Sequence, residues 1–165
     1  MNTTPVISSL NNTYCKQIID IILPIQQIEF NVPITLEAQP DLLDIETNYH
    51  RTGGNFWGAV YNEQLVGTIA LIAFGDNAAA VRKMFVLKEY RGKELGIAQL
   101  LVDNLITYCR QNNITAIYLG TVDVMKAAHR FYEKNGFKRL EKHDLPKSFP
   151  LMSADNVFYE LHLNN

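Results

Sequence analysis

"MFVLKEYRGKELGIAQLL" (Met84–Leu101) changes character twice within a short span. It opens on apolar residues suited to a strand. It passes through two glycines and two cations, Arg91, Gly92, Lys93 and Gly96, and then settles into a helical stripe of Ala98, Leu101, Val102, Leu105 and Cys109. A helix start carries unpaired N–H groups and about half a positive charge. Glycines before it let a ligand approach the backbone closely, so the stretch fits an anion cradle. The alternative is a tight turn with solvated charges. It is neither a Walker loop, lacking Gly-Lys-Ser/Thr, nor a dinucleotide fingerprint after a first parallel strand.

Upstream, "NFWGAVY", "QLVGTIALIAF" and "AAAVRKMFVL" are rich in β-branched and aromatic residues and are separated by the turn signals "NE" and "GDN". They predict an antiparallel meander. A short strand is expected at Val6–Ser9, followed by a helix with Ile18, Ile19, Ile22, Ile25 and Ile28 on its face, kinked at Pro24. "AQPDLLDIETNYH" predicts a second helix with Leu42, Leu43, Ile45 and Tyr49 inward. Downstream, "NITAIYLGT" reads as a strand. "VDVMKAAHRFYEKNGF" reads as a helix with Asp123 as N-cap, Val124, Ala127, Ala128, Phe131 and Tyr132 as its stripe, and Gly136 as its stop. "FKRLEK" and "NVFYELHL" close the chain as strands. The order predicts a mixed α/β fold, with a largely antiparallel central sheet flanked by helices.

The 165 residues fit a single domain over 1–165. Cys15 and Cys109 match no metal spacing and read as reduced core thiols, so a cytoplasmic protein without a metal is expected. "MNTTPVISSLNN" lacks a basic start followed by an apolar core, and "IIDIILPI" is too short to span a bilayer, so no membrane partner is expected. The net charge of −2 hides a split. Residues 1–81 carry two basic and eight acidic side chains, and residues 82–147 carry thirteen basic and seven acidic. The basic half is too dispersed, and too poor in interleaved aromatics, to indicate nucleic acid.

"MFVLKEYRGKELGIAQLL" followed by "AAHRFYEKNGF" resembles the GNAT superfamily of N-acetyltransferases. In that family a fourth strand leads into Arg/Gln-x-x-Gly-x-Gly/Ala, and a later helix ends in Tyr-x-x-x-Gly-Phe. Arg91, Gly92, Lys93 and Gly96 fall on the first pattern, and Tyr132, Gly136 and Phe137 on the second. The resemblance spans roughly residues 55–137 and implies acetyl-CoA as co-substrate. Arg91, Gly92, Lys93, Glu94, Leu95, Gly96, Ile97 and Ala98 would then surround its diphosphate. Met84, Phe85, Val86, Met125, Ala128 and Phe131 would lie along its arm. There are two departures. Glu94 stands where the family has a glycine, and a positive φ there would cost about 1 kcal/mol. Met125 stands where the family often has an asparagine.

The implied reaction is direct attack of a primary amine on the thioester carbon. A backbone N–H near Met84–Val86 would receive the oxyanion. Tyr132 would serve as general acid towards the departing sulfur; its alternative is a core aromatic beside Phe131. An alkylammonium of pKa about 10 must first lose a proton. Glu29, His129 and His50 are candidate bases, and a water chain would serve as well. From Gln17 to Tyr49 there are six acids and no Lys or Arg, which suggests a small, cationic amine acceptor. Uneven solvated surface is the alternative. Two other readings stay open. One is a non-catalytic acyl-CoA sensor. The other is a protein or peptide acetyltransferase gripping its target with the loop Asp144–Asp155. Dimers are common in the family, which leaves a homodimer open.

Overall fold

The computed structural model describes residues 4–163. Among these residues, seven strands form one sheet in the order β1-β2-β3-β4-β5-β7-β6. They are β1 (Val6–Ser9), β2 (Asn55–Tyr61), β3 (Gln64–Phe74), β4 (Ala78–Val86), β5 (Ala116–Thr121), β6 (Lys138–Leu140) and β7 (Val157–His162). Every adjacent pair is antiparallel except β4–β5, so the sheet is mixed and largely antiparallel, as expected. Four α-helices flank it: α1 (Cys15–Pro24), α2 (Ile45–Asn48), α3 (Ile97–Gln111) and α4 (Lys126–Lys134).

The sheet is covered on both faces. One core gathers Trp57, Ile69, Leu71 and Val81 against Leu101, Leu105 and Cys109 of α3 and Tyr132 of α4. The other packs Phe56, Leu65 and Ala70 against Ile18, Ile22 and Ile25, together with Leu42, Ile45 and Tyr49. Alternation along β2 and β3 serves both, because successive side chains point to opposite faces.

Three expectations need correction. On the first helix, which breaks at Pro24 as expected, Ile28 leaves the apolar face. A π-helical turn, Ile25–Glu29, follows, closed by Phe30 N–H to Ile25 O at 3.1 Å. Proline supplies no N–H and crowds the preceding turn. The wider turn shifts the phase, and Ile28 ends up 81% exposed. The second predicted helix is broken into pieces. A 3₁₀ turn, Pro40–Leu43, stops at Asp44, whose side chain caps α2 by accepting from Thr47 N–H, and Leu43 is exposed. Finally, α4 starts at Lys126 without a side-chain cap, because Asp123 lies outside it with its N–H bonded to Asn156 Oδ1. The buried face of α4 is therefore His129 and Tyr132, and Val124 is exposed.

Candidate functional site

Strands β4 and β5 pair only from Ala78↔Ala116 to Val81↔Leu119. β4 continues to Val86, but its course changes at a bulge. Ala70 pairs with Arg82 and Thr68 with Phe85, so Lys83 and Met84 together oppose Ile69. Lys83 takes the left-handed conformation, φ +54°, and Thr68 Oγ1 donates to its carbonyl at 2.7 Å. A bulge bends its strand and increases the local twist. The two strands part, and a cleft opens between Arg82–Phe85 and Leu119–Val122, walled by Met125, Ala128 and Tyr132 of the α4 segment. The same wall continues past Phe85, Val86 and Phe131 towards the start of α3.

That start has the expected form. Gly92 (φ +114°) and Gly96 (φ +61°) hold the loop in conformations that favour glycine. Gly96 caps α3 without a side chain, and the first bond into the helix is Leu100 N–H to Gly96 O. The amides of Ile97, Ala98 and Gln99 have no acceptor within α3. Arg91, Lys93, Leu95, Ala98 and Phe131 line the hollow before them. Glu94 is exposed, lies outside that lining and has no positive φ, so the strain anticipated at this position is absent.

Tyr132 is buried and lines both parts of the cleft. Its ring packs against Phe137 and Tyr159, with centroids 5.7 and 5.9 Å away. Burial pushes its phenol well above the usual range, so it stays protonated as a donor. Met125 lies beside Thr121, 3.9 Å from sulfur to hydroxyl, at the cleft wall.

The three histidine and carboxylate candidates for the base fall elsewhere. Both Glu29 oxygens are held by Arg91, one at 2.8 Å, and that hydrogen bonding lowers its pKa. Glu29 therefore anchors the glycine loop to the π-helical turn. A carboxylate so engaged is a poor proton acceptor. His129 Nε2 bonds to Val122 O at 3.0 Å, and the ring faces Tyr159, outside both clefts. His50 Nε2 bonds to Leu10 O at 2.7 Å and lines neither part of the cleft. Among the described residues, no group of three or more His, Cys, Asp or Glu could hold a metal, and no helix is long and apolar enough to cross a membrane.

The Acetyltransferase (GNAT) family model matches residues 19–137, which takes in the glycine loop, the splayed strands and α4. The chain belongs to the GNAT family. Among curated relatives, N-acetylaspartate synthetase of Danio rerio is 41% identical over 130 residues, covering 76% of this chain and 45% of that protein. The chain thus spans less than half the length of that relative. A GNAT-family acetyltransferase from Staphylococcus aureus Mu50 superposes with TM-score 0.94 at 44% identity, covering 98% of this chain and 100% of that one. An acetyltransferase from Streptococcus agalactiae 2603 gives TM-score 0.92 at 32% identity, covering 98% and 100%.

In this GNAT chain the cleft floor is cationic, which the sequence reading missed. Arg82 and Lys83 are each 8% exposed. Lys83 Nζ donates to Gln39 Oε1 at 2.5 Å and lies 3.6 Å from Asp41, while Gln39 and Gln26 are hydrogen-bonded to each other. Arg82 lies 3.9 Å from Asp155, stacks over Phe149, and buries an Nε that has no partner. Burial pulls both cations down from their usual pKa ranges. The acidic residues expected to draw a cationic acceptor do not line this cleft. Asp20 pairs with Lys16 on the surface, Asp44 caps α2, and Glu46 accepts from Asn12 N–H. A sequence signal did exist: two adjacent cations inside the otherwise apolar run "AAAVRKMFV".

Proposed function

We propose that the chain transfers an acetyl group from acetyl-CoA to the primary amine of a small amino acid that carries a carboxylate. The observation behind this reading is the pair Arg82 and Lys83, buried side by side on the floor of the cleft that Tyr132 walls. A buried cation with an unpartnered N–H is costly by itself and matches a carboxylate well. The relationship to N-acetylaspartate synthetase points the same way, since that enzyme's named product carries two carboxylates.

The fit to acetyl-CoA rests on the uncapped mouth of α3. The amides of Ile97, Ala98 and Gln99, with Gly92, Gly96, Arg91 and Lys93, would hold the diphosphate. Acetyl-CoA supplies the activated acyl group; the chain's residues place it and manage protons. Leu87 N–H donates to Val66 O, so alternation turns the Val86 amide towards the open edge of β4, where Arg91 Nε already reaches Val86 O at 2.8 Å. Amides on this edge, within Met84–Val86, would receive the charge that develops on the carbonyl oxygen. Tyr132 gives its proton to the sulfur.

The loop before β7 favours a small acceptor over a peptide. Phe149 is buried against Ala80 and Phe158, and Met152 and Ala154 line the cleft, narrowing it on the β7 side. A thiol-release assay with aspartate, glutamate, neutral amino acids, a polyamine and a lysine peptide tests the proposal. Acidic amino acids should be turned over best, with the acceptor KM rising about a hundredfold in Arg82→Gln. Preference for the polyamine or the peptide would refute it.

A further inference from the structure

The amine must reach the thioester without its extra proton, and none of Glu29, His129 and His50 faces the cleft. We propose that Asp155 is the general base, taking the proton from the acceptor's ammonium group; this deepens the amino-acid reading above and rests on it. Among the described residues lining the cleft beside Tyr132, Asp155 alone carries a carboxylate.

Its position is built by three elements. Asp155 N–H bonds to Met152 O, and the next residue ties the loop to the end of β5 through Asn156 N–H to Thr121 O. On β5, Gly120 leaves the space the carboxylate fills: a Cβ there would stand 2.4 Å from Asp155 Oδ2. Arg82 of β4 lies 3.9 Å away, beyond hydrogen-bond distance, so the carboxylate keeps lone pairs for a second donor. The titratable groups around it are Arg82 and Lys83 from β4 and Tyr132 from α4, with Asp41 and Tyr49 behind Lys83 and Arg82.

The arrangement suits a zwitterion. Arg82 and Lys83 take carboxylate, and Asp155 takes ammonium. The same two cations disfavour the protonated amine beside them, which lowers its pKa. Burial raises the pKa of Asp155, making it a stronger base than a surface carboxylate, and the two charges of β4 partly offset this.

The balance is complete. One ammonium N–H bond breaks and its proton passes to an Asp155 oxygen. The freed nitrogen pair forms the N–C bond, and the C–S pair leaves on sulfur, which takes the Tyr132 proton. The nitrogen sheds a second proton, restoring the phenol, and Asp155 returns its own to solvent.

The test is the pH dependence of kcat/KM for an acidic amino acid in wild type, Asp155→Asn, Asp155→Glu and Gly120→Ala, with coenzyme A binding followed by calorimetry. Asp155→Asn should lose about a hundredfold at neutral pH and recover as pH rises towards the pKa of the amine. Asp155→Glu should regain part of the rate, and Gly120→Ala, which displaces the carboxylate without removing it, should fall in the same direction. Coenzyme A affinity should stay unchanged in all, which a misfolded variant would not manage. A wild-type rate and pH profile in Asp155→Asn would overturn the base and leave acetyl transfer to amino acids standing. A wild-type protein idle on every amino acid would overturn both.

Discussion

The Thr68 hydroxyl donates to the backbone carbonyl of Lys83 at 2.7 Å inside the sheet, and so fixes the bulge that opens the cleft. Thr68 is fully buried, and Lys83 pays for its place with a left-handed backbone. Thr68→Val keeps the shape and leaves that carbonyl unsatisfied, at about 1–3 kcal/mol. Urea denaturation should register the loss. Under the proposed function the acceptor KM should rise more than the acetyl-CoA KM, because the bulge positions the cations proposed to hold the acceptor.

Tyr132→Phe removes one hydroxyl from a ring packed by Phe137 and Tyr159. The fold should hold. The expected kcat is about a hundredfold lower, at the low end for a general acid, because a thiolate is a tolerable leaving group. An unchanged kcat across pH would remove Tyr132 from the acid role.

At Gly92 and Gly96 the expected effect of alanine comes from the backbone alone. A Cβ at Gly92 meets nothing within 4 Å, and at Gly96 its nearest neighbour is Lys93 O at 3.8 Å. The left-handed φ still costs roughly 1 kcal/mol at each. Calorimetry should show coenzyme A binding about fivefold weaker in Gly96→Ala, with acceptor KM little altered.

The Arg91–Glu29 contact makes stability pH-dependent. The hydrogen bonds from Arg91 lower the folded pKa of Glu29 below its ordinary value of 4.5. A depressed acid contributes stability above its unfolded pKa and loses it as pH falls through the folded value. Glu29→Gln should therefore have a lower Tm than wild type at pH 7, and the gap should close below about pH 4. A constant gap down to pH 3 would contradict the ion pair.

Cys109 is fully buried, and burial pushes its thiol up to about 12. Cys15 is partly exposed. At pH 8 a thiol reagent should label Cys15 in the native protein and reach Cys109 only in denaturant. Rapid native labelling of both would show that the α3 core opens.

The conformation of the glycine loop was legible because it is local. Gly92, Gly96 and the stripe behind them lie within one turn and one helix, and their spacing fixes a left-handed turn into α3. The meander was legible through its alternation. Ile28 was misread as inward-facing, because a periodic pattern carries no sign of the extra residue a π-helical turn inserts. Glu29 was taken as a candidate base from its place at the end of the first helix, as the resemblance implies. Its true partner, Arg91, is 62 positions away.

The sequence by itself determined the order of elements, the glycine-flanked, uncapped start of α3 and the family. Only the tertiary structure decided which charges face the cleft beside Tyr132. Counting acids along the first helices suggested a negative cleft, yet Asp20 meets solvent, Asp44 caps α2, Glu29 is taken up by Arg91, and Asp41 sits behind Lys83 rather than on the cleft lining. The cations come from a bulge in β4, and among the described residues lining the cleft the one carboxylate, Asp155, comes from the loop before β7. Net charge is a property of composition. The field inside a cleft depends on which side chains the fold withdraws from water, where a charge is felt most strongly.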